Sequence, residues 1–162
     1  MQSVLITGTS KGIGYETALA FARCGYQVYA TMRNTEQCRT LPEAIAGEKL
    51  PITISAMDVN SDDSVRDAIR AIIVRHGPID VLVNNAGIER FGSIEELSTE
   101  DFRASMETNY FGALRCIKTV ITSMRERRRG TIINISSVAG TASQVGGKTT
   151  PLWRAGIMPP GF

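Results

Sequence analysis

The sequence predicts an α/β fold in which one parallel sheet carries helices on both of its faces. Short apolar runs alternate with longer amphipathic stretches up to about residue 140, which is the pattern of repeated strand–helix–strand units. The runs are apolar at consecutive positions, as in strands that are buried on both faces. The first run, at residues 4–7, leads directly into a loop with glycines at positions 8, 12 and 14.

The loop after this first predicted strand has the composition of an anion-binding site. A helix follows it, and its apolar side carries Ala18, Leu19, Phe21 and Ala22. The amino terminus of a helix presents free N–H groups and the positive end of the helix dipole. The glycines allow a sharp turn and let a pyrophosphate approach the backbone without meeting a Cβ atom. The alternative is a glycine-rich turn that holds no ligand.

The second predicted strand covers residues 27–32, and Arg33 follows it. In a dinucleotide-binding fold this position meets the adenosine ribose, and an NAD enzyme usually places a carboxylate there. A guanidinium binds a ribose 2′-phosphate in a charge-assisted way, and Lys11 of the glycine loop is expected to reach the same group. The sequence therefore predicts NADP(H) in preference to NAD(H). The alternative is a pair of solvated surface cations.

The middle of the chain supplies two more strands and two more helices. A short helix is predicted near residues 36–46, with Pro42 as an interruption. The third strand covers residues 52–57. An amphipathic helix at 61–76 follows, with acidic residues in its first turn and a Gly-Pro stop after its last. The fourth strand covers residues 79–83 and ends in a run of small and amide residues.

A long helix is predicted from Ser98 to about residue 128, before a fifth strand at 131–135. Asn109 lies on the apolar stripe of this helix, and a buried amide is costly unless it is paired. The arginines at 125–129 complement the helix dipole, so we interpret them as a solvated helix end and not as a nucleic-acid site. The predicted stripe consists of Phe102, Met106, Ala113, Ile117, Val120 and Met124.

Composition describes an ordinary globular protein. The chain has 162 residues, 43% of them hydrophobic and 21% charged, which suits a single domain with a sizeable core. No apolar run approaches the length of a membrane span, and the first strand lies at the N-terminus, so we expect a cytoplasmic protein without a membrane partner. The net charge of +2 does not indicate nucleic acid. The three cysteines lack metal-ligand spacing, so we expect free thiols and no metal.

Four short motifs together resemble the short-chain dehydrogenase/reductase family over residues 1 to about 140. The resemblance implies a Rossmann-like doubly wound sheet of parallel strands in the order 3-2-1-4-5. In chain order the motifs are Thr7-Gly8-x-x-x-Gly12-x-Gly14, Asn84-Asn85-Ala86-Gly87, Asn109-x-x-Gly112 and Ser136-Ser137.

The resemblance also implies roles for individual residues. Ser137 matches the active-site serine, which would orient and polarise a substrate carbonyl. Asn109 matches the active-site asparagine, which would hold a water of the proton relay and interrupt its helix; the alternative is a satisfied structural asparagine. Asp58 would accept a hydrogen bond from the adenine, although a turn or capping role fits the sequence nearly as well. Asn85 would join neighbouring strands through its amide.

The cofactor-binding set that follows from the glycine loop, the ribose position and the resemblance lies at the ends of four strands. Its members are Gly8, Ser10, Lys11, Gly12, Ile13, Gly14, Arg33, Asp58, Val59, Asn85, Ala86 and Gly87.

The sequence departs from the family's pattern after Ser137. The family's general acid is a tyrosine in Tyr-x-x-x-Lys about 13 residues after the serine, and that count reaches Thr150 here, with Arg154 four residues later. No tyrosine follows Tyr110 in the sequence. The stretch 141–162 lacks helical or strand periodicity, and the family's next helix, two further strands and substrate lid have no counterpart. We interpret this tail as a truncation, a splice or a change of reading frame.

These observations divide the chain into an incomplete dinucleotide-binding domain at 1–140 and an irregular tail at 141–162. The implied function is an NADP(H)-dependent oxidoreductase for an alcohol or carbonyl substrate, weak or inactive in this chain. The alternative is a non-catalytic module that binds dinucleotide or a partner. By resemblance, the helix at 98–128 would form a homo-oligomer. Residues 28–33 are similar to the hydroxysteroid and retinol branch of the family, but the substrate is not readable.

Overall fold

The computed structural model of the protein describes residues 1–90 and 95–136. It contains a five-stranded parallel sheet in the order β3-β2-β1-β4-β5 with helices, so the predicted fold and strand order are confirmed. Ser137, Thr150 and the predicted tail lie outside the described residues. The elements are β1 (Ser3–Thr7), α1 (Gly12–Arg23), β2 (Gln27–Met32), α2 (Thr40–Glu48), β3 (Ile52–Ala56), α3 (Asp62–His76), β4 (Val81–Asn84), α4 (Thr99–Met106), a π-helical segment (Glu107–Phe111), α5 (Gly112–Glu126) and β5 (Thr131–Asn134).

The central strand β1 shows why the predicted strands are apolar at consecutive positions. Val4 and Ile6 belong to a core that α1 and α2 cover, whereas Leu5 belongs to a second core with residues of α3 and α5. All three side chains are fully buried. Successive side chains of a strand point to opposite faces, so a sheet with helices on both sides buries both sets.

The starts of α3 and α4 follow local capping signals, whereas the start of α2 differs from the prediction. The Ser61 side chain accepts a hydrogen bond from the N–H of Ser64, and Ser98 forms a capping box with Asp101. The predicted helix at 36–46 is displaced, because α2 begins at Thr40 and Pro42 lies within its first turn. Proline is tolerated there since the N–H groups of the first turn have no partner inside the helix.

The predicted long helix is three consecutive elements, and its buried face differs from the predicted stripe. The π-helical segment interrupts it at Glu107–Phe111, as the resemblance implied. Of the predicted stripe only Val120 and Met124 are buried, and the other four members are half-buried. The small residue Gly112 allows a close approach to Val59, in the turn after β3. The buried positions are Ser105, Thr108, Asn109, Gly112, Cys116, Val120 and Met124.

The described residues supply no further type of site. None of their helices is long and apolar enough to cross a membrane, and no group of three or more metal-ligating side chains occurs among them. The three cysteines are free thiols, as predicted; Cys24 is exposed, whereas Cys38 and Cys116 are buried. Burial raises the pKa of Cys116 to about 12, which keeps this thiol protonated and unreactive near neutral pH.

Candidate functional site

The predicted site residues within the described part of the chain follow the carboxyl ends of the parallel strands. The glycine loop connects β1 to α1, Arg33 follows β2, Asp58 and Val59 lie just beyond β3, and Asn85 follows β4. The carboxyl ends of parallel strands lie on one edge of the sheet, which is where open α/β sheets bind their ligands.

Two glycines of the loop are required by close packing. A Cβ atom on Gly8 would lie 2.7 Å from the Cα of Ala86. A Cβ atom on Gly14 would lie 2.4 Å from the Nδ2 of Asn85 and equally close to the Gly8 carbonyl oxygen. Real Cβ atoms do not approach so closely, so only glycine allows β1, β4 and α1 to meet here.

Gly12 is required for a different reason. Its φ angle is +62°, which is the left-handed region that side chains other than glycine rarely adopt, and no atom lies within 4 Å of the position of its missing Cβ. The space beside the backbone of Gly12 is therefore open. That is the arrangement expected where a ligand lies against the loop.

Thr31 fixes the loop to the end of β2. Its carbonyl oxygen accepts hydrogen bonds from the N–H of Gly8 at 2.9 Å, the N–H of Thr9 at 3.1 Å and the hydroxyl of Thr9 at 3.2 Å. The Thr31 hydroxyl in turn donates to the Ile6 carbonyl at 3.0 Å. The first turn of the loop is thus held by backbone contacts before any ligand binds.

Asn85 joins β4 to the loop. Its Nδ2 donates to the carbonyl oxygens of Thr7 and Gly8 at 2.9 Å each. The hydroxyl oxygen of Thr7 accepts hydrogen bonds from the N–H groups of Asn85 at 3.0 Å and Ala86 at 2.9 Å. These four bonds lock the Asn-Asn-Ala-Gly run to the glycine loop, which agrees with the strand-joining role expected of Asn85.

The amino terminus of α1 is open to an anion. Its N-cap residue, Lys11, provides no side-chain cap, and the first turn contains no acidic residue, in contrast to the serine caps and acids of α3 and α4. Ser10, Lys11, Gly12 and Ile13 are all exposed, and Ile13 keeps 63% of its surface accessible. The uncapped N–H groups fit a phosphate or pyrophosphate.

The structure also describes the residues that are predicted to meet the adenosine. Arg33 and Lys11 are exposed, and neither forms an ion pair with another residue in the described ranges. Asp58 forms a turn: its Oδ1 accepts from the N–H of Asn60 at 3.0 Å, and its own N–H donates to the Ser64 hydroxyl at 2.9 Å. The turn role left open for Asp58 is therefore present, and one carboxylate oxygen is committed to it.

Asn109 is 5% exposed, and both ends of its amide bond to the backbone of one residue. Its Oδ1 accepts from the N–H of Ile88 at 2.8 Å, and its Nδ2 donates to the carbonyl of the same residue at 2.9 Å. The amide thus pairs the π-helical segment with the chain that follows β4. This bonding fits the alternative in which Asn109 is a hydrogen-bonded structural asparagine. Its catalytic role stays a prediction.

A small polar cavity lies beside Asn109 and encloses about 20 Å³, enough for one water molecule. Asn84, Asn85 and Asn134 also line it. Asn84 donates through Nδ2 to the Oδ1 of Asn134 at 2.9 Å, but its own buried Oδ1 has no partner among the described residues. A water in this cavity would satisfy that oxygen.

Sequence reasoning missed the groups that hold the site together. The Thr31 carbonyl and the Thr7 hydroxyl receive most of the bonds around the loop, yet threonine inside an apolar run indicates only a strand. The Asn84–Asn134 pair joins β4 to β5, and these two residues are partners in the strand register. In the sequence, this pair is indicated only by an asparagine at the end of each of the two strands.

The comparisons with known proteins agree with this arrangement. A family model described as short chain dehydrogenase matches residues 2–149. Retinol dehydrogenase 8 of Bos taurus is 45% identical over 144 residues, which cover 86% of this chain and 45% of that protein.

Solved structures show the same similarity. A gluconate 5-dehydrogenase from Burkholderia cenocepacia J2315, in complex with NADP and tartrate, is 33% identical with a TM-score of 0.84; the match covers 95% of this chain and 59% of that one. A variant of actinorhodin polyketide ketoreductase with NADPH is 34% identical with a TM-score of 0.84. The match covers 89% of this chain and 56% of the ketoreductase chain. The chain spans about half the length of these relatives.

Proposed function

Since the chain belongs to the short-chain dehydrogenase family, we propose that it is the NADP(H)-binding part of an oxidoreductase for an alcohol or carbonyl substrate. The observation that carries this proposal is the amino terminus of α1, which has no side-chain cap and no acidic residue in its first turn and begins at the exposed Gly12. The similarity to structures described with NADP and NADPH supports the same cofactor class. NADP(H) supplies or accepts a hydride when it is bound.

Different residues of the protein would bind different parts of the cofactor. The pyrophosphate would lie on the N–H groups of the glycine loop, with Ser10 and Ile13 beside it. Arg33 and Lys11 would bind the 2′-phosphate, since both cations are exposed and without an acidic partner in the described ranges. Asp58 and Val59 would border the adenine, and Asn85, Ala86 and Gly87 would border the nicotinamide ribose.

Asn109 and Ser137 are the proposed catalytic residues. The cavity beside Asn109 has the volume for one water and is also lined by Asn84, whose Oδ1 lacks a partner among the described residues, so a water there would lie between the two asparagines. Ser137 lies outside the described residues; it follows β5 by three positions and would orient the substrate oxygen. Its hydroxyl would act by hydrogen bonding and not as a nucleophile.

A non-catalytic binding module is the second candidate function for this chain. The specific observation in its favour is the sequence itself, in which no tyrosine follows Tyr110 and position 150 is threonine. Dinucleotide binding and catalysis are separable here, because the loop around Gly12 does not depend on the missing tyrosine. A cytoplasmic location and a homo-oligomer formed through α4 and α5 belong to the same proposal. Phe111, the last residue of the π-helical segment between these helices, and Ile121 of α5 are 43% and 38% exposed and would contribute to the interface.

A matched pair of glycine variants tests the cofactor site. Gly12 and Gly25 both have positive φ angles, +62° and +83°, and neither has an atom within 4 Å of its missing Cβ. We expect Gly12→Ala and Gly25→Ala to lose similar stability, about 1 kcal/mol each, because the backbone strain is the same. Only Gly12→Ala should weaken NADPH binding in calorimetric titration. Wild-type protein that binds no dinucleotide, or equal losses of affinity in both variants, would contradict the proposal.

A further inference from the structure

Arg115, in the first turns of α5, contacts three separate parts of the chain. Its Nε donates to the Asp62 carboxylate at 2.9 Å, at the start of α3. One terminal nitrogen donates to the Val59 carbonyl at 3.2 Å, and the other is bonded to the Glu107 carboxylate. The guanidinium therefore bridges the turn after β3, the first turn of α3 and the first residue of the π-helical segment.

The same turn is held from a second direction by packing. A Cβ atom on Gly112 would lie 2.8 Å from the Cγ2 of Val59 and 3.0 Å from its Cβ, so α5 approaches the turn as closely as a glycine allows. Val59 is 6% exposed. Its side chain is thus enclosed by Gly112, and its carbonyl is bonded by Arg115, one helical turn further along α5.

We propose that Arg115 is a positioning residue for the adenine side of the cofactor site, a role that rests on the function proposed above. It fixes the backbone of the turn that contains Asp58 and Val59, and through Glu107 it fixes that turn relative to the segment that carries Asn109. The two halves of the site, which are about fifty residues apart in sequence, are then held in one geometry.

The geometry requires an arginine and not only a positive charge. The Arg115 side chain is 19% exposed, and its planar fork meets three acceptors at once. A lysine ammonium is a point charge that cannot reach all three acceptors together. An Arg115→Lys variant therefore keeps the charge and loses the simultaneous contacts, which separates positioning from simple electrostatic attraction.

The test compares the two halves of the cofactor as separate ligands. Adenosine 2′,5′-bisphosphate carries the adenine and the 2′-phosphate, and reduced nicotinamide mononucleotide carries the other half. We expect Arg115→Met and Arg115→Lys to lower affinity for the adenosine ligand by roughly tenfold and to leave affinity for the nicotinamide ligand unchanged. Arg66→Met is the matched control, because Arg66 is an exposed arginine on α3 whose ion pairs within the described residues are with Asp63 and Asp67.

Hydrogen exchange of the free protein supplies an independent readout. The N–H groups of Asn60 and Ser61 bond to Asp58 inside the turn, and they should exchange faster in both Arg115 variants and not in Arg66→Met. If exchange is faster and the affinities for both ligands fall equally, the variants are generally destabilised, and the positioning role is overturned. Unchanged exchange would overturn the proposal outright. If the wild-type protein binds no adenosine ligand, the proposed function is wrong, and exchange alone decides whether Arg115 holds the turn.

Discussion

At the residue scale, the packing around the glycine loop depends on individual side-chain atoms. The glycine loop can lie against β4 only because Gly8 and Gly14 lack a Cβ atom, and Asn85 fills the remaining space with two donated hydrogen bonds. Lys11 and Arg33, the two cations that are predicted to meet the adenosine, differ from these residues, because they form no ion pair in the described ranges and remain available to a ligand. Loop residues therefore shape this end of the sheet, whereas selection of the cofactor by the exposed cations is a prediction.

The first prediction at this scale concerns Arg33. A hydrogen bond to a charged group contributes about 1.5–3 kcal/mol, so Arg33→Ala should lower NADPH affinity roughly ten- to a hundredfold. NADH affinity should change little, because NADH lacks the 2′-phosphate. Titration of both cofactors into wild type and variant measures this. Arg75→Ala, which removes an exposed arginine at the end of α3, is the control. Equal losses for the two cofactors would show that Arg33 does not read the 2′-phosphate.

At the scale of elements, one carboxylate joins three strands at the edge opposite the site. Asp80 precedes β4, accepts from the N–H of Ser3 at 3.0 Å and bonds to Arg127 at 3.1 Å, just before β5. Arg127 also donates to the Ile79 carbonyl at 2.8 Å. The side chain of Asp80 is only 15% exposed, so these contacts fix the amino ends of β1, β4 and β5.

A pH-dependent stability follows from Asp80. Burial alone would raise the pKa of this carboxyl, but the Ser3 N–H and the guanidiniums of Arg127 and Arg129 together lower it. A lowered pKa means that the contribution is present above the unfolded value of about 3.9 and disappears as the pH falls through the folded value.

The corresponding variant is Asp80→Asn, which removes the charge and keeps the shape. We expect it to lower the free energy of unfolding by about 2 kcal/mol at pH 7. The loss should be smaller at about pH 3, which lies below the unfolded pKa, because part of the wild-type contribution has already disappeared there. Denaturant unfolding at both pH values measures the difference. Asp67→Asn, at an exposed ion pair on α3, should change stability by under about 1 kcal/mol. A loss that is equal at both pH values would exclude the charge as its cause.

At the scale of the whole molecule, the described residues contain the proposed cofactor site, whereas the predicted catalytic Ser137 lies outside them. The sheet, the glycine loop and Asn109 are in place, and the chain spans about half the length of its relatives. In the proposed function, dinucleotide binding and substrate turnover therefore depend on different parts of the chain.

We predict that the 162-residue chain by itself does not turn over substrate at a useful rate. A positioned general acid contributes typically 10²–10⁴-fold, and the threonine hydroxyl at position 150 is far too weak an acid to replace a phenol. NADPH absorbance with a panel of ketones and aldehydes measures turnover, beside a cofactor titration of the same preparation. Oxidation at ordinary enzyme rates that is lost in Ser137→Ala would contradict the prediction.

The sequence by itself determined the strands, the order of the elements and the position of the glycine loop. These depend on local features: apolar runs, serine caps and residues that lack a side chain each act within a few neighbours. Only the tertiary structure decided that Thr31 receives the loop, that the buried face of α4 and α5 is shifted from the predicted stripe, and that Arg115 joins Val59 to Glu107. Such contacts link residues that are distant in the sequence, so they depend on how the elements pack and have no local pattern to reveal them.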